Sequence, residues 1–193
     1  EIIIETGHTT VSELAHEKTK LFFPIVMTFF LYILFANLIG LFPGFATIGF
    51  NQIEDGHKVF VPLLRSINSD LNMTLGLALL SVLITHIFAI YFLGLKDYLK
   101  KWFSFEMFGV FLFVGLLELV SEFTKIVSLS FRLFGNIFAG EVVLATISNI
   151  FAFLVPLPFY FLEIIVGFVQ AAVFMMLTLV FMVLLSEKHE SSH

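Results

Sequence analysis

FEMFGVFLFVGLLELVSEFTKIVSLSFRLFGNIFAGEVVLATI, residues Phe105 to Ile147, is apolar almost throughout yet carries Glu118, Glu122, Lys125, Arg132 and Glu141. A hydrocarbon core about 30 Å thick is crossed by roughly 20 residues of helix. At about 1.5 Å per residue this run would form a helix about 65 Å long. It must therefore bend, break or lie strongly tilted. We read it as a short re-entrant or interfacial piece over Phe105 to Val114, followed by one long oblique helix from about Leu116 to Ser148.

Three other runs have spanning length. Leu21 to Phe42 is closed by Pro43 and Gly44; Leu71 to Leu95 has Asp70 as N-cap and closes near Gly94; Pro156 to Leu185 is the last. Of the 193 residues, 59% are hydrophobic and 13% charged, about half the charge of an average soluble chain. That excludes a water-soluble domain, a disordered chain and a nucleic-acid binder. Zero Cys excludes disulfides and thiolate metal sites. The sequence starts at Glu1 and not Met, so a processed chain or an upstream start is expected, and nothing at that end reads as a cleavable signal.

Ahead of the first span, Thr10-Val-Ser-Glu13 matches a capping box, and Val11, Leu14, Ala15 and the stem of Lys18 share one face. This predicts an amphipathic helix on the membrane surface. Lys18, Lys20, Lys96, Lys100, Lys101 and Lys188 fall on one side of the spans, and Lys58 and Arg65 on the other. Both termini and the 94–104 loop are therefore expected on the cytoplasmic face. The whole is an all-α membrane protein in one membrane domain, 1–193: a surface helix over 1–20, a transmembrane hairpin with its connecting loop over 21–95, and a re-entrant piece with two long tilted helices in an antiparallel hairpin over 105–187.

Placing Arg132 mid-span costs at least about 2.5 kcal/mol, so something must offset it. On a helix of about 100° per residue, Glu118, Lys125, Ser128 and Asn136 all fall within about 40° of Arg132, whereas Glu141 lies about 180° away. The last span supplies Glu163 and Gln170 on one face of its own. In an antiparallel hairpin centred at residues 151–152, Arg132 stands level with Gln170, Glu141 with Glu163, and Glu118 with Ser186 and Glu187. Two polar half-paths enter from opposite faces, interrupted by an arginine.

Arg132-Leu-Phe-Gly-Asn136 followed by Ala139-Gly-Glu141, Gln170-Ala with Phe174, Asn37-Leu-Ile-Gly-Leu-Phe-Pro43, and Ser69-Asp70-Leu-Asn72-Met-Thr74-Leu together resemble subunit a of the F-type ATP synthases, over nearly the whole chain. The resemblance implies that Arg132 faces a rotating ring of subunit c, that Asn136, Glu141, Glu163 and Gln170 belong to the outer half-channel, and that Glu118 and Ser128 lie toward the inner one. It also implies a peripheral stalk of subunit b and other synthase subunits as partners, an energy-transducing bacterial plasma membrane as location, and no cofactor. Two departures stand out. The family's usual first transmembrane helix would precede Glu1, and many bacterial members pair one Glu with one His where this chain has Glu141 and Glu163.

The chemistry fits these residue types. A rotor carboxylate is protonated while crossing lipid and ionised while passing the stator, so the stator needs a cation that cannot give up its own proton. Arg meets that need and Lys does not. At an effective dielectric of about 20, a cation about 4 Å away is worth about 4 kcal/mol, or about three pKa units on the rotor's acid. The same charge blocks direct passage between half-channels. Glu141 and Glu163 could share a proton, or be structural hydrogen-bonding groups. Asn136 and Gln170 could steady the guanidinium, or simply hold helices together. Glu118 could belong to the inner path, or be a solvated helix end. Lys125 reads as a snorkelling residue and His86 as packing or interfacial. The function expected is a proton-conducting stator subunit with no catalytic site of its own. Alternatives are a secondary transporter or channel using Arg132 as an anion site, and an inert scaffold.

Overall fold

The computed structural model of the chain describes residues 1–42, 49–54, 57–62, 66–96, 98, 108–150 and 154–187, excluding the side chains of 51–54, 57–62, 108–114 and 149. Helices α1 (Ile2–Ala15), α2 (Thr19–Gly40), α3 (Leu71–Leu93), α4 (Phe108–Ile150) and α5 (Pro156–Ser186) carry the fold. Four stretches are long and apolar enough to cross a membrane: α1 with α2, α3, α4 from Gly115 to Ser148, and α5. The protein is an all-α membrane protein. Its described strands, β1 (Gly49–Glu54) and β2 (His57–Pro62), form an antiparallel hairpin in the α2–α3 connection, with Glu54 opposite His57. From sequence that segment reads only as a loop. The signal for pairing is the Asp55-Gly56 dipeptide between two alternating runs.

The capping box at Thr10 does not form. α1 begins eight residues earlier, at Ile2, and Thr10 Oγ1 donates to the Thr6 carbonyl at 2.9 Å from inside the helix. Thr9 does the same to Glu5. These hydroxyls are satisfied by their own preceding turn, so they need no helix start. α1 turns at His16, whose φ of 45° lies in the left-handed region, and runs back along α2. Its buried face is Gly7, Val11 and Ala15; Leu14, expected on that face, is exposed. Gly7 allows a close approach there, since a Cβ would come within 3.1 Å of Met27 Sδ and that side chain would have to shift.

α3 starts and stops as its sequence dictates. Asp70 accepts from the Asn72 N–H at 2.9 Å, and Gly94, at φ 80°, closes the helix with its N–H on the Ile90 carbonyl. α4 differs from expectation. It is one helix of 43 residues, and Phe108 to Val114 are its first turns, not a separate re-entrant piece; residues 105–107 lie outside the described residues. The physical reason is that no proline lies between Pro62 and Pro156. Gly109 and Gly115 weaken a helix by only about 1 kcal/mol each relative to Ala, and backbone groups freed in lipid would cost several.

Lys18 marks one end of the bundle. Its Nζ donates to the Ser186 carbonyl at 2.9 Å and sits 4.9 Å from the centroid of Phe92. The start of α2 and the ends of α3 and α5 therefore meet on one side. The other end is closed where Gly40 packs on Ser66 and Asn68 Nδ2 donates to Asn37 Oδ1 at 2.7 Å. The core runs through Phe22, Val26 and Ile33 of α2, Ala78 of α3, Leu133 of α4 and Phe174, Leu179 and Met182 of α5. α5 packs on α2, α3 and α4 alike. In their most apolar stretches, 44% of α5 is buried but only 22% of α4. α4 is thus the least covered of the spanning helices, followed by α3 at 28%.

Candidate functional site

The uncovered face of α4 carries Arg132. Leu129, Leu133 and Ile137 form the seam that α4 buries, and the positions beside them, Ser128, Arg132 and Asn136, are left exposed. The guanidinium reaches Ser128 Oγ at 3.5 Å, the outer limit of a hydrogen bond. Among the described residues no carboxylate lies within salt-bridge distance of it.

One turn further along, Asn136 Nδ2 donates to Gln170 Oε1 at 2.7 Å. Gln170 is 4% exposed and Glu163 7%, so α5 turns its two polar residues inward, onto α4 and α2. Between them lies Gly167, whose carbonyl accepts from Asn37 Nδ2 at 3.0 Å. The Glu163 carboxyl lies directly against Gly140, where any Cβ would overlap it. Glu141 is close enough to interact with it electrostatically. The two acids expected at one depth are thus brought together. Gln170, expected level with Arg132, is hydrogen-bonded instead to Asn136, one turn further along α4.

Toward the Lys18 end, Glu118 is half-buried. Its expected neighbour Ser186 has its carbonyl taken by Lys18. The sequence of α4 from one end to the other thus runs Glu118, Ser128, Arg132, Asn136 and Glu141, with Glu163 and Gln170 added from α5. No set of three or more His, Cys, Asp or Glu among the described residues could hold a metal.

Residues 1–183 match the family described as ATP synthase A chain. The chain belongs to that family. It is 31% identical to the ATP synthase subunit a of Buchnera aphidicola over 98% of its own length and 70% of the relative's. It is 34% identical to that of Desulforamulus reducens over 97% and 65%, and 34% identical to that of Geotalea daltonii over 94% and 70%. The chain therefore spans about two thirds of the length of these relatives. Membership in the ATP synthase A chain family sets the charges of α4 in the context of ATP synthesis and ion transport across a membrane.

Two groups of polar residues escaped the sequence reading. Asn37 and Asn68 form a buried amide pair beside Gly167; the signal available was an amide at the end of an otherwise apolar span. The second group joins α3 to α4. Glu122 Oε1 accepts from Lys125 Nζ at 2.6 Å, its other oxygen lies 3.5 Å from His86 Nε2, and His86 Nδ1 is hydrogen-bonded to the Tyr98 hydroxyl at 3.0 Å. Lys125 also lies 5.0 Å from the centroid of Phe181 on α5. Lys125 is thus an ion-pair partner of Glu122, and His86 carries polar contacts on both ring nitrogens.

Proposed function

We propose that this chain is the proton-translocating stator subunit of a rotary F-type ATP synthase, providing two half-channels separated by Arg132 that load and unload the carboxylates of a ring of proteolipid subunit c. The observation that carries the reading is the Arg132 guanidinium, exposed on the uncovered face of α4 with no carboxylate in range among the described residues. A permanently charged group so placed is costly in lipid and is stabilised once a partner presents an acid. Gly135, one turn from Arg132, has open space where its Cβ would be, which suits the close approach of a second protein to this face.

Asn136, Gln170, Glu141 and Glu163 form the outer half-path, and Ser128 and Glu118 the inner one. A proton entering from outside is passed along the carboxyl pair to an acid of the ring. On the far side of Arg132 the ring's acid gives its proton up, because the guanidinium stabilises the carboxylate and cannot itself be deprotonated. The chain has no catalytic site in this scheme; nucleotide chemistry belongs to other subunits of the complex, and a peripheral stalk of subunit b is a further partner. The excess of lysines on one side of the spans in the sequence supports a reading in which both termini face the cytoplasm of a bacterial plasma membrane.

The test is Arg132→Lys in the assembled complex. The expected outcome is complete loss of ion-driven ATP synthesis with normal assembly. Full coupled activity in that variant would sink the reading, since a lysine can lose its proton in a desolvated site.

A further inference from the structure

Three ionisable side chains and a tyrosine meet at the α3–α4 interface, on the Lys18 side of Arg132. Glu122 is about 15 Å along α4 from Arg132, and its side chain is 12% exposed; that of His86 is 21% exposed. Neutralising a carboxylate in a membrane takes one cation, and Lys125 at 2.6 Å already provides it. An imidazole on the second oxygen and a phenol on the imidazole are more than charge balance requires. Ionisable residues inside a membrane are expensive, and an excess of them calls for a function.

The arrangement also has a direction. Lys125 lies on the Arg132 stripe of α4, Glu122 turns from it toward α3, His86 continues on α3, and Tyr98 lies past Gly94, where α3 has ended. That end of α3 is the one gathered by Lys18 with Phe92 and Ser186. The chain of contacts leads from the α4 stripe to the inner face. Among the described residues, its titratable and charged groups are His86 from α3, Tyr98 from the following segment, and Glu122 and Lys125 from α4, with Glu118 one turn before Glu122 on the same helix, while α5 contributes the Phe181 ring.

We propose that Glu122, His86 and Tyr98 form the proton-release relay of the inner half-channel, with Lys125 as the positioning residue that holds the Glu122 carboxylate. This rests on the stator reading above and specifies the end of its inner path. A proton arriving on Glu122 leaves as its O–H bond breaks and an N–H bond forms at His86 Nε2, giving a carboxylate and an imidazolium. The imidazolium then gives up the proton on Nδ1 to the Tyr98 oxygen as the phenol passes its own proton to water, so one proton enters and one leaves. The 3.5 Å between Glu122 and His86 is at the outer limit of a hydrogen bond and shortens by side-chain rotation during transfer. Such a relay carries H+ and cannot carry Na+.

The test uses the intact complex in inverted membrane vesicles, with passive proton conduction measured after removal of the nucleotide-binding sector. His86→Ala is expected to lower conduction at least about tenfold, with partial recovery on adding imidazole to the inner-face compartment. Glu122→Gln, nearly isosteric, should show the same loss, and Glu122→Asp should recover part of it. Conduction unchanged in assembled His86→Ala and Glu122→Gln complexes would overturn the relay. So would a loss that imidazole and Glu122→Asp both fail to restore, which marks a structural ion pair, or pumping that requires Na+. If His86→Ala does not assemble, Tyr98→Phe and Glu122→Gln decide by the same readouts. Failure of the stator reading itself shows separately, as coupled activity in Arg132→Lys.

Discussion

The two polar groups that flank Arg132 are built on opposite plans. Toward the α4–α5 connection two acids meet, Glu141 from α4 and Glu163 from α5, and among the described residues no ion pair involves Glu163. Toward the Lys18 end one acid, Glu122, is held between a lysine and a histidine. Two neighbouring carboxyls can share a proton, and their titration belongs to the pair; an acid between bases is set to pass a proton on. The difference matches the proposed direction of each half-path: collection on one side, release on the other. It also fits the proposed divider, since Arg132 is the charged residue of α4 between the two groups and, among the described residues, has no acid in range.

Removing the divider should have the largest effect. Arg132→Ala is expected to abolish ion-driven ATP synthesis and to let the two half-paths communicate, so that vesicles lose a proton gradient without rotation. Passive leak measured with the rotor chemically blocked checks this. A tight membrane in that variant would show that the two groups are separated by something other than Arg132.

Next come the outer acids. Glu163→Gln in the assembled complex should lower ATP-driven pumping by about 10²-fold, the scale on which a positioned proton-transfer group contributes. Because the two acids act as one unit, Glu141→Gln with Glu163→Gln should cost little more than the worse single change. Additive losses would mean two separate groups and would remove the contrast with the inner cluster.

Much of this geometry was legible in the sequence because it follows from period and length. Asp70, Gly94 and Pro156 bound their helices for local reasons of capping and backbone chemistry. Arg132 with Ser128, and Glu163 with Gln170, share faces because helical spacing puts them there. The facing of Glu141 and Glu163 followed from the hairpin alone. What was not legible depends on how helices sit against each other. The height of α3 beside α4 is set by packing and by contacts such as Ser81 with Thr178 across α3 and α5, 2.8 Å apart. No spacing rule brings His86 to Glu122. The bond of Gln170 to Asn136 likewise depends on how the two side chains reach across the seam, which helical spacing alone leaves open.

A smaller and more local effect is expected at Gly140. Its missing side chain is what lets the Glu163 carboxyl lie against α4. Gly140→Ala should displace that carboxyl without unfolding the protein, because the obstructing atoms are the far end of a flexible side chain. Misplacement of a reacting group by about 1 Å can cost up to about 10²-fold in rate, so pumping should fall while assembly stays normal. Normal pumping would show that Glu163 works from another rotamer.

The smallest effect is predicted for the amide pair, and it separates packing from proton traffic. Asn136 donates to Gln170 Oε1 at 2.7 Å, with Gln170 buried and Asn136 exposed. Interhelical polar pairs in membranes average about 0.6 kcal/mol, so Asn136→Ala should weaken the α4–α5 contact by about that amount. Gln170→Ala should cost more, because it also leaves a gap in the buried seam of α5. A double-mutant cycle on unfolding stability should return a coupling energy of the same small size, and pumping should fall only a few-fold in either variant. If instead Asn136→Ala depresses pumping as strongly as Glu163→Gln while stability is unchanged, the amides conduct protons and do not merely hold the helices. The outer group would then extend to within one turn of Arg132, and its contrast with the inner cluster would become one of length as well as charge.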